Sequence, residues 1–386
     1  MKKFLILLAF GLTACTEPST IQTDHPTQDF SVNTSVADEV YNHLKLQYLN
    51  FDQVDSKDFE YGLARGLVEA LGDQYSEFMD PEQSAEFNQS LAGNLTGIGA
   101  ELNRENDKIV VVSPLRKSPA EGAGLLPKDV ILAVDDEPVL DATTFEVVQK
   151  IRGKAGTAVK LNIWRESTQE NLDFFITRAE IHVPSVEWDW AGERKNGIAL
   201  MTINAFNENT SKEFFEKMYE INYKNPKGLI IDLRYNGGGF LDDAVDITSY
   251  FLEPGQTIVD VRGRNVFTNQ TLVASDIQNN LTLPVVVLVN EGTASASEIM
   301  VGALKDHDRA IVIGDQTYGK GTVQELVALS DSSTLRVTIA KWYTPNGTSI
   351  DEEGITPDEF IAFTPEDTEA GRDVQLDRAI EILMQK

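Results

Sequence analysis

A chain of 386 residues has room for two or three domains around a sizeable core. Its 61 acidic residues outnumber its 33 basic ones, and the formal net charge of -28 excludes both the basic footprint of a nucleic-acid binder and electrostatic docking on anionic lipid. The apolar share of 41% is that of an ordinary soluble protein, whose acidic surplus serves solubility.

The chain opens on MKKFLILLAFGLTAC, two lysines before a short apolar run that ends in small residues. That pattern predicts a secretory signal over 1–14, too short to span a bilayer as a helix. The single cysteine of the chain, Cys15, closes it in the stretch LTAC. This stretch resembles the lipobox of bacterial lipoproteins, which implies a lipidated Cys15 after cleavage. A lone cysteine forms no internal disulfide. Residues 15–35, polar and rich in Thr and Pro, read as a flexible tether. The expected location is the cell envelope, lipid-anchored and facing the periplasm or the outside.

From 36 to 91, apolar residues recur at three- and four-residue spacing in VADEVYNHLKLQYLNF and DFEYGLARGLVEALG, and DPEQSAEFNQSL follows as a third helix. This region reads as a helical arm. From 92 to 180 the texture changes to short alternating runs bounded by Gly, Pro and Asp, with SPAEGAGL and TTFEVVQKIRG as short helices, an α+β module. From 181 to 386, strands such as GIALMTI, KGLIIDLR, LPVVVLVN and RAIVIG alternate with helices, and GRDVQLDRAIEILMQ forms a terminal helix. That alternation predicts an α/β layer around a mainly parallel, buried sheet.

The stretch TASASE after LPVVVLVN sets Ser295 and Ser297 at a strand-to-helix turn, a good place for a nucleophile. No histidine is well placed to serve it. His25 lies in the tether, His43 on the arm and His182 after the α+β module; His307 lies twelve residues beyond Ser295 at the other end of the same helix, roughly 18 Å away by helical rise. His307 therefore reads as a cap at the helix C-terminus. The sequence contains no G-x-S-x-G, H-E-x-x-H or S-x-x-K pattern. A lysine substitutes for the base when burial disfavours its ammonium. Lys320 in TYGKG, after the next strand, is the candidate. The same stretch mimics a phosphate-binding loop, GDQTYGKG, but Gly321 stands where that loop needs Ser or Thr.

Two segments carry a family resemblance. GIGA at 97–100, SPAEGAGLLPKDVILAVDDEPV and TFEVVQKIRGKAGTAVKLNI resemble a PDZ domain of the bacterial protease type. Gly97, Ile98, Gly99 and Ala100 would then capture a peptide's terminal carboxylate on backbone N–H groups while the peptide adds a strand. NEGTASASEIMVGALKDHDRAIVIGDQTYGKGTVQ, GLIIDLRYNGGGFLDDAV and KWYTPNGTSIDEEGITPD resemble the carboxyl-terminal processing proteases, tail-specific serine peptidases of the S41 class.

The resemblance implies an α/β protease core with a crotonase/ClpP-like layered sheet, an inserted α+β PDZ domain and an N-terminal helical arm. It implies a Ser–Lys dyad of Ser295 and Lys320, separated by 320 − 295 = 25 residues, with Gln324 orienting the amine. It implies an oxyanion hole from the N–H of Ala296 and that of Gly238 or Gly239; many relatives carry proline where this chain has Gly237. Ser297 is expected to serve as a helix-start hydroxyl, and Glu298 and Asp306 as structural support through ion pairs. Arg152 is a regulatory candidate, able to pair with carboxylates in one arrangement and release them in another. The expected partners are protein or peptide substrates with a free C-terminus, the membrane through the lipid anchor, and an adaptor or a second copy of the chain; neither metal nor cofactor is expected. The competing reading is a catalytically inactive, PDZ-bearing lipoprotein adaptor.

Overall fold

The computed structural model describes residues 32–385 except 92, 106–107, 115–117, 127, 140–141, 143, 183, 194–195, 265–268, 278–281, 363–366 and 368–371. The expectations for the leader, Cys15, most of the tether and His25 lie outside the described residues. No helix among them is long and apolar enough to cross a membrane.

The arm contains helices α1 (Ser35–Gln47), α2 (Ser56–Glu69) and α3 (Pro81–Leu91), with a short strand β1 (Glu77–Met79) between the last two. Asp55 caps α2 by accepting the Lys57 N–H at 2.9 Å, the usual solution for the first unpaired donors of a helix. Neither α1 nor α2 buries a residue, and they meet through Tyr41, Phe51 and Phe59, whose rings lie 5.4–5.9 Å apart. The helical expectation for 36–91 misses β1. Three residues carry no readable period, and β1 exists because it pairs with a strand some 259 residues away, Glu77 opposite Arg336.

The second module hangs from a two-stranded neck. Strand β2 (Asn94–Gly97) enters it beside β9 (Ala179–His182), which leaves it. Between them β3 (Ala100–Glu105), β4 (Lys108–Pro114), β5 (Val130–Val134), β6 (Glu137–Pro138), β7 (Ala158–Arg165) and β8 (Glu170–Thr177) form a six-stranded antiparallel sheet. Helices α4 (Pro119–Ala123) and α5 (Thr144–Ile151) accompany it. Its own core, with Ile109, Ile131, Leu161 and Ile163 fully buried, makes the module a separate packing unit.

The third module is built on two sheets. The first has the order β10 (Val186–Trp190), β11 (Ile198–Ile203), β12 (Gly228–Asp232), β15 (Val285–Val289), β16 (Ala310–Gly314) and β19 (Glu359–Phe360). Only β10 is antiparallel. The strands β12 and β15 are buried at every position, so their sequences read as continuous apolar runs. The period of two persists in what each side touches. Leu229, Ile231, Val285, Val287 and Val289 enter one core, and Ile230, Val286 and Leu288 the other.

The larger core lies under α6 (Thr210–Tyr223), α7 (Leu241–Ser249) and α8 (Ala296–Asp306), and the smaller under a terminal helix, α9 (Val374–Gln385). The second sheet is antiparallel: β1, β18 (Thr334–Tyr343), β13 (Thr257–Gly263) and β14 (Gln270–Val273) in that order, with β17 (Thr322–Ala328) also on β18. The arm therefore supplies an edge strand to the sheet that carries Gln324 and Arg336.

Candidate active site

Ser295 caps α8 at the end of the loop that follows β15. Its backbone adopts φ 56° and ψ -118°, a conformation that costs a non-glycine residue of order 1–3 kcal/mol and recurs where a turn is over-determined by its surroundings. The surroundings are two asparagine staples. Asn290 Oδ1 accepts the N–H groups of Gly292 (3.1 Å) and Tyr235 (2.8 Å), tying the serine loop to the turn after β12. Asn236 is fully buried; its carbonyl accepts the Ala294 N–H (3.0 Å) and the Ser297 hydroxyl (3.0 Å), and its Nδ2 donates to the Ile203 carbonyl (2.7 Å). Ser297 is thus a cross-link to the glycine turn, where a helix-start hydroxyl was expected.

That turn, Asn236–Gly239, presses on the serine. A Cβ on Gly238 would lie 2.7 Å from the Ala294 carbonyl oxygen, 2.8 Å from Ser295 Cβ and 2.9 Å from the Ala296 nitrogen, and its φ of +95° also favours glycine. A Cβ on Gly239 would lie 1.8 Å from the Phe206 carbonyl oxygen. The Gly238 N–H donates to Asn236 Oδ1 at 2.9 Å, so of the two glycines expected to complete an anion pocket, Gly238 has its donor engaged and Gly239 is the better placed. Ala296, the first residue of α8, carries one of the N–H groups that have no partner inside a helix.

Lys320 sits between β16 and β17 on a loop clamped by Trp342 of β18 and by residues 351–354 beyond it. The Lys320 carbonyl accepts Trp342 Nε1–H at 3.0 Å, and the Gly319 carbonyl accepts the Glu352 N–H at 2.9 Å. A side chain on Gly319 would strike the Gly354 nitrogen at 2.7 Å and one on Gly321 the Asp351 backbone at 2.8 Å, which accounts for glycines on both flanks of the lysine. Burial, the largest effect, and then the Arg336 charge push the Lys320 ammonium below the ordinary lysine range, while Asp73 and Glu298 pull it back up.

One buried carboxylate joins the two loops. Glu298 Oε2 accepts the N–H groups of Ser295 (2.8 Å) and Lys320 (3.0 Å), and Oε1 accepts the Gly319 N–H (2.7 Å) and the Thr317 hydroxyl (2.6 Å). Burial pushes its carboxyl up, and the four donors oppose that shift. Its support is hydrogen bonding to backbone, not the ion pairing expected. Asp306 likewise accepts a backbone N–H, from Asn346 at 2.8 Å.

Ser295, Ala296, Gly238, Gly239, Lys320 and Gln324 line a single open cavity of about 730 Å³. The Gln324 amide nitrogen donates to Thr322 Oγ1 (2.9 Å) and Thr338 Oγ1 (3.3 Å). His307 occupies the far end of α8 as its C-cap; its Nε2 donates to the Thr257 carbonyl at 2.7 Å, a tie between helix and sheet. In the second module, Gly97, Ile98, Gly99 and Ala100 border a small groove against α5, with Val148 and Ile151 on the opposite wall. Gly99 is required there: φ is +72° and a Cβ would lie 2.5 Å from that of Ser118. Arg152 borders both this groove and a cleft against α3 that also contains Glu82, Glu86 and Glu180. Sequence reasoning missed Asn236 and Asn290; the only signal was an asparagine in the turn that follows each of two buried strands.

Comparison with known proteins places this geometry in a class. A model of peptidase family S41 matches residues 197–361, and a PDZ domain model matches 96–175. The carboxy-terminal processing protease CtpB of Bacillus subtilis is 36% identical over 350 residues, which cover 90% of this chain and 71% of that one. The solved photosystem II D1 C-terminal processing protease is similar over 90% of this chain and 91% of its own, at 27% identity and a TM-score of 0.54. The chain belongs to peptidase family S41. A CtpA-like serine protease of Staphylococcus aureus is 39% identical over 331 residues, and this chain spans 65% of its length. An S41 protease of Bacteroides fragilis, at 17% identity and a TM-score of 0.59, shares the fold.

Replacing Glu298 by Ala leaves four donors, two of them buried and two half-buried, without their acceptor. At the cost of an orphaned donor, thermal or denaturant unfolding should record a loss of at least about 3 kcal/mol. A loss below about 1 kcal/mol would mean that the two loops hold themselves.

Proposed function

We propose that the chain is an extracytoplasmic serine endopeptidase that cuts proteins near their C-terminal ends with a Ser295–Lys320 dyad. The observation that carries this reading is that both side chains border one cavity while their backbones share the Glu298 carboxylate. Neutral Lys320 accepts the hydroxyl proton as Ser295 Oγ attacks the scissile carbonyl. The resulting oxyanion takes the N–H of Ala296, at the positive end of α8, and that of Gly239. The lysine then returns its proton to the leaving amine, and water repeats the sequence to free the acyl group. Gln324 is assigned to orient the amine, its own amide nitrogen being held by Thr322 and Thr338.

Ser295→Ala and Lys320→Ala should each lower turnover of an unstructured protein by about as much as the double variant, since the two act as a unit. Lys320→Arg should be equally inactive, because guanidinium stays protonated. His307→Ala, if folded, should keep most activity; a dead but folded His307→Ala beside an active Lys320→Ala would reverse the assignment. Because the Lys320 pKa is lowered in the folded chain, the neutral base is populated at a lower pH than for a free lysine. Activity should therefore rise with pH through that lowered value and fall away below it.

The PDZ module is proposed to read the substrate's free C-terminus in the groove between Ile98–Ala100 and α5, with Arg152 on the wall that connects the groove to the arm. A peptide ending in a free apolar carboxylate should bind at least about tenfold more tightly than its amidated twin, by calorimetry or fluorescence polarisation. Equal affinities would remove carboxylate recognition. The leader and Cys15 support attachment to a membrane by lipid. Cys15→Ser should then move the protein from the membrane fraction to the soluble one without altering turnover of a soluble peptide.

A further inference from the structure

The cavity that holds Lys320 is not made by the protease core alone. Immediately before β1, the arm lays residues Asp73–Ser76 along β18. Arg336 Nε donates to the Tyr75 carbonyl at 3.1 Å, and its Nη2 pairs with Glu77 at 2.8 Å. The Thr338 N–H donates to Ser76 Oγ at 3.1 Å, and that hydroxyl donates to Asp73. The strap is thus fixed to the same strand that receives Gln324 at Thr338. It carries the Tyr75 ring to 5.0 Å from Lys320 Nζ, while the phenol hydroxyl hydrogen-bonds Tyr318. Burial and that bond push the Tyr75 hydroxyl up to about 12, so the ring is neutral near neutral pH.

We propose that Tyr75, delivered by the N-terminal arm, is a positioning residue for Lys320: its ring covers the amine, keeps water from it and holds it in the cavity it shares with Ser295. This rests on Lys320 being the base. Two effects of the ring oppose each other. Its face attracts an ammonium, which favours the charged form; its bulk excludes water, which favours the neutral one. Exclusion dominates, because the attraction of an aromatic face for a partly solvated cation is small beside the effect of burying an amine. The other charges near the amine are Arg336 from β18, Asp73 from the strap and Glu298 from α8; Arg336 and Asp73 are tied to the strap through the Tyr75 carbonyl and the Ser76 hydroxyl, not through the Tyr75 ring. An arm that docks through β1 therefore completes the base, and the base is less able to work where the arm is displaced.

The test is the pH profile of kcat/KM and kcat on an unstructured substrate for the full chain and for Tyr75→Phe, Tyr75→Leu and Tyr75→Ala, with unfolding temperatures alongside and Lys320→Ala as the control. Tyr75→Ala should move the acid limb to higher pH by about one unit, a roughly tenfold loss below it. The loss should fall on kcat and not on KM. Tyr75→Phe should restore the wild-type limb, and Tyr75→Leu, which keeps the packing if Ala does not fold, should lie between. An acid limb in Tyr75→Ala and Tyr75→Leu that superimposes on wild type, with Lys320→Ala inactive, overturns the role of Tyr75 and leaves the dyad standing. A Tyr75→Phe profile like that of Tyr75→Ala also overturns it, in favour of the hydroxyl bond to Tyr318. Turnover by Lys320→Ala removes the base assignment itself, and the role of Tyr75 falls with it.

Discussion

Everything at this site depends on one buried carboxylate. The serine and the lysine lie on different loops, at the ends of neighbouring parallel strands, and neither loop has regular structure to hold it. Glu298 binds the main chain of both at once, with the hydroxyl of Thr317 and the N–H of Gly319 completing its acceptor capacity. Its position in the first turn of α8 fixes it relative to the helix, so the lysine loop takes its placement from the helix that the serine caps. A carboxylate is suited to this because it accepts four bonds and donates none.

The strain at Ser295 follows from the same arrangement. A φ of 56° is sustainable only where other bonds determine the backbone, and here Asn236 and Asn290 bind from below while Glu298 binds from the side. The glycine turn packs so closely on Ala294–Ala296 that a methyl group on Gly238 would displace the serine. The glycine turn and the Ser295 loop are thus one packed unit set on the fully buried strands β12 and β15, whose two faces are consumed by two separate cores. What is attached to that unit packs by itself. The PDZ module has its own core and a two-stranded neck, and the arm's first two helices bury nothing of their own.

Much of this was legible in the sequence. The apolar runs of β11, β12, β15 and β16 separated by helices announced a parallel sheet, and the glycines around Lys320 and after Asn236 marked places where backbones meet closely. Ser295 and Lys320 could be named because few other residues had the chemistry, and because the stretches around them resemble one family closely. What escaped was set by distant partners. Strand β1 is three residues whose only reason to be extended is β18, and Tyr75 lies beside Lys320 through that pairing and the strap's bonds to Arg336 and Thr338. Ser297 and Glu298 were noticed, but a hydroxyl or carboxyl in a first helical turn looks alike whether it caps its own helix or binds a loop from elsewhere. Gly238 and Gly239 could not be separated until the bond from Gly238 to Asn236 was seen.

The claim that Ser295 is the nucleophile and Lys320 its base is tested most directly by a fluorophosphonate probe, followed by peptide mapping of the adduct. Labelling should occur on Ser295 and not on Ser297, should slow as pH falls through the lysine's lowered pKa, and should be lost in Lys320→Ala. An adduct on Ser297, or labelling of Lys320→Ala at the wild-type rate, would contradict the account.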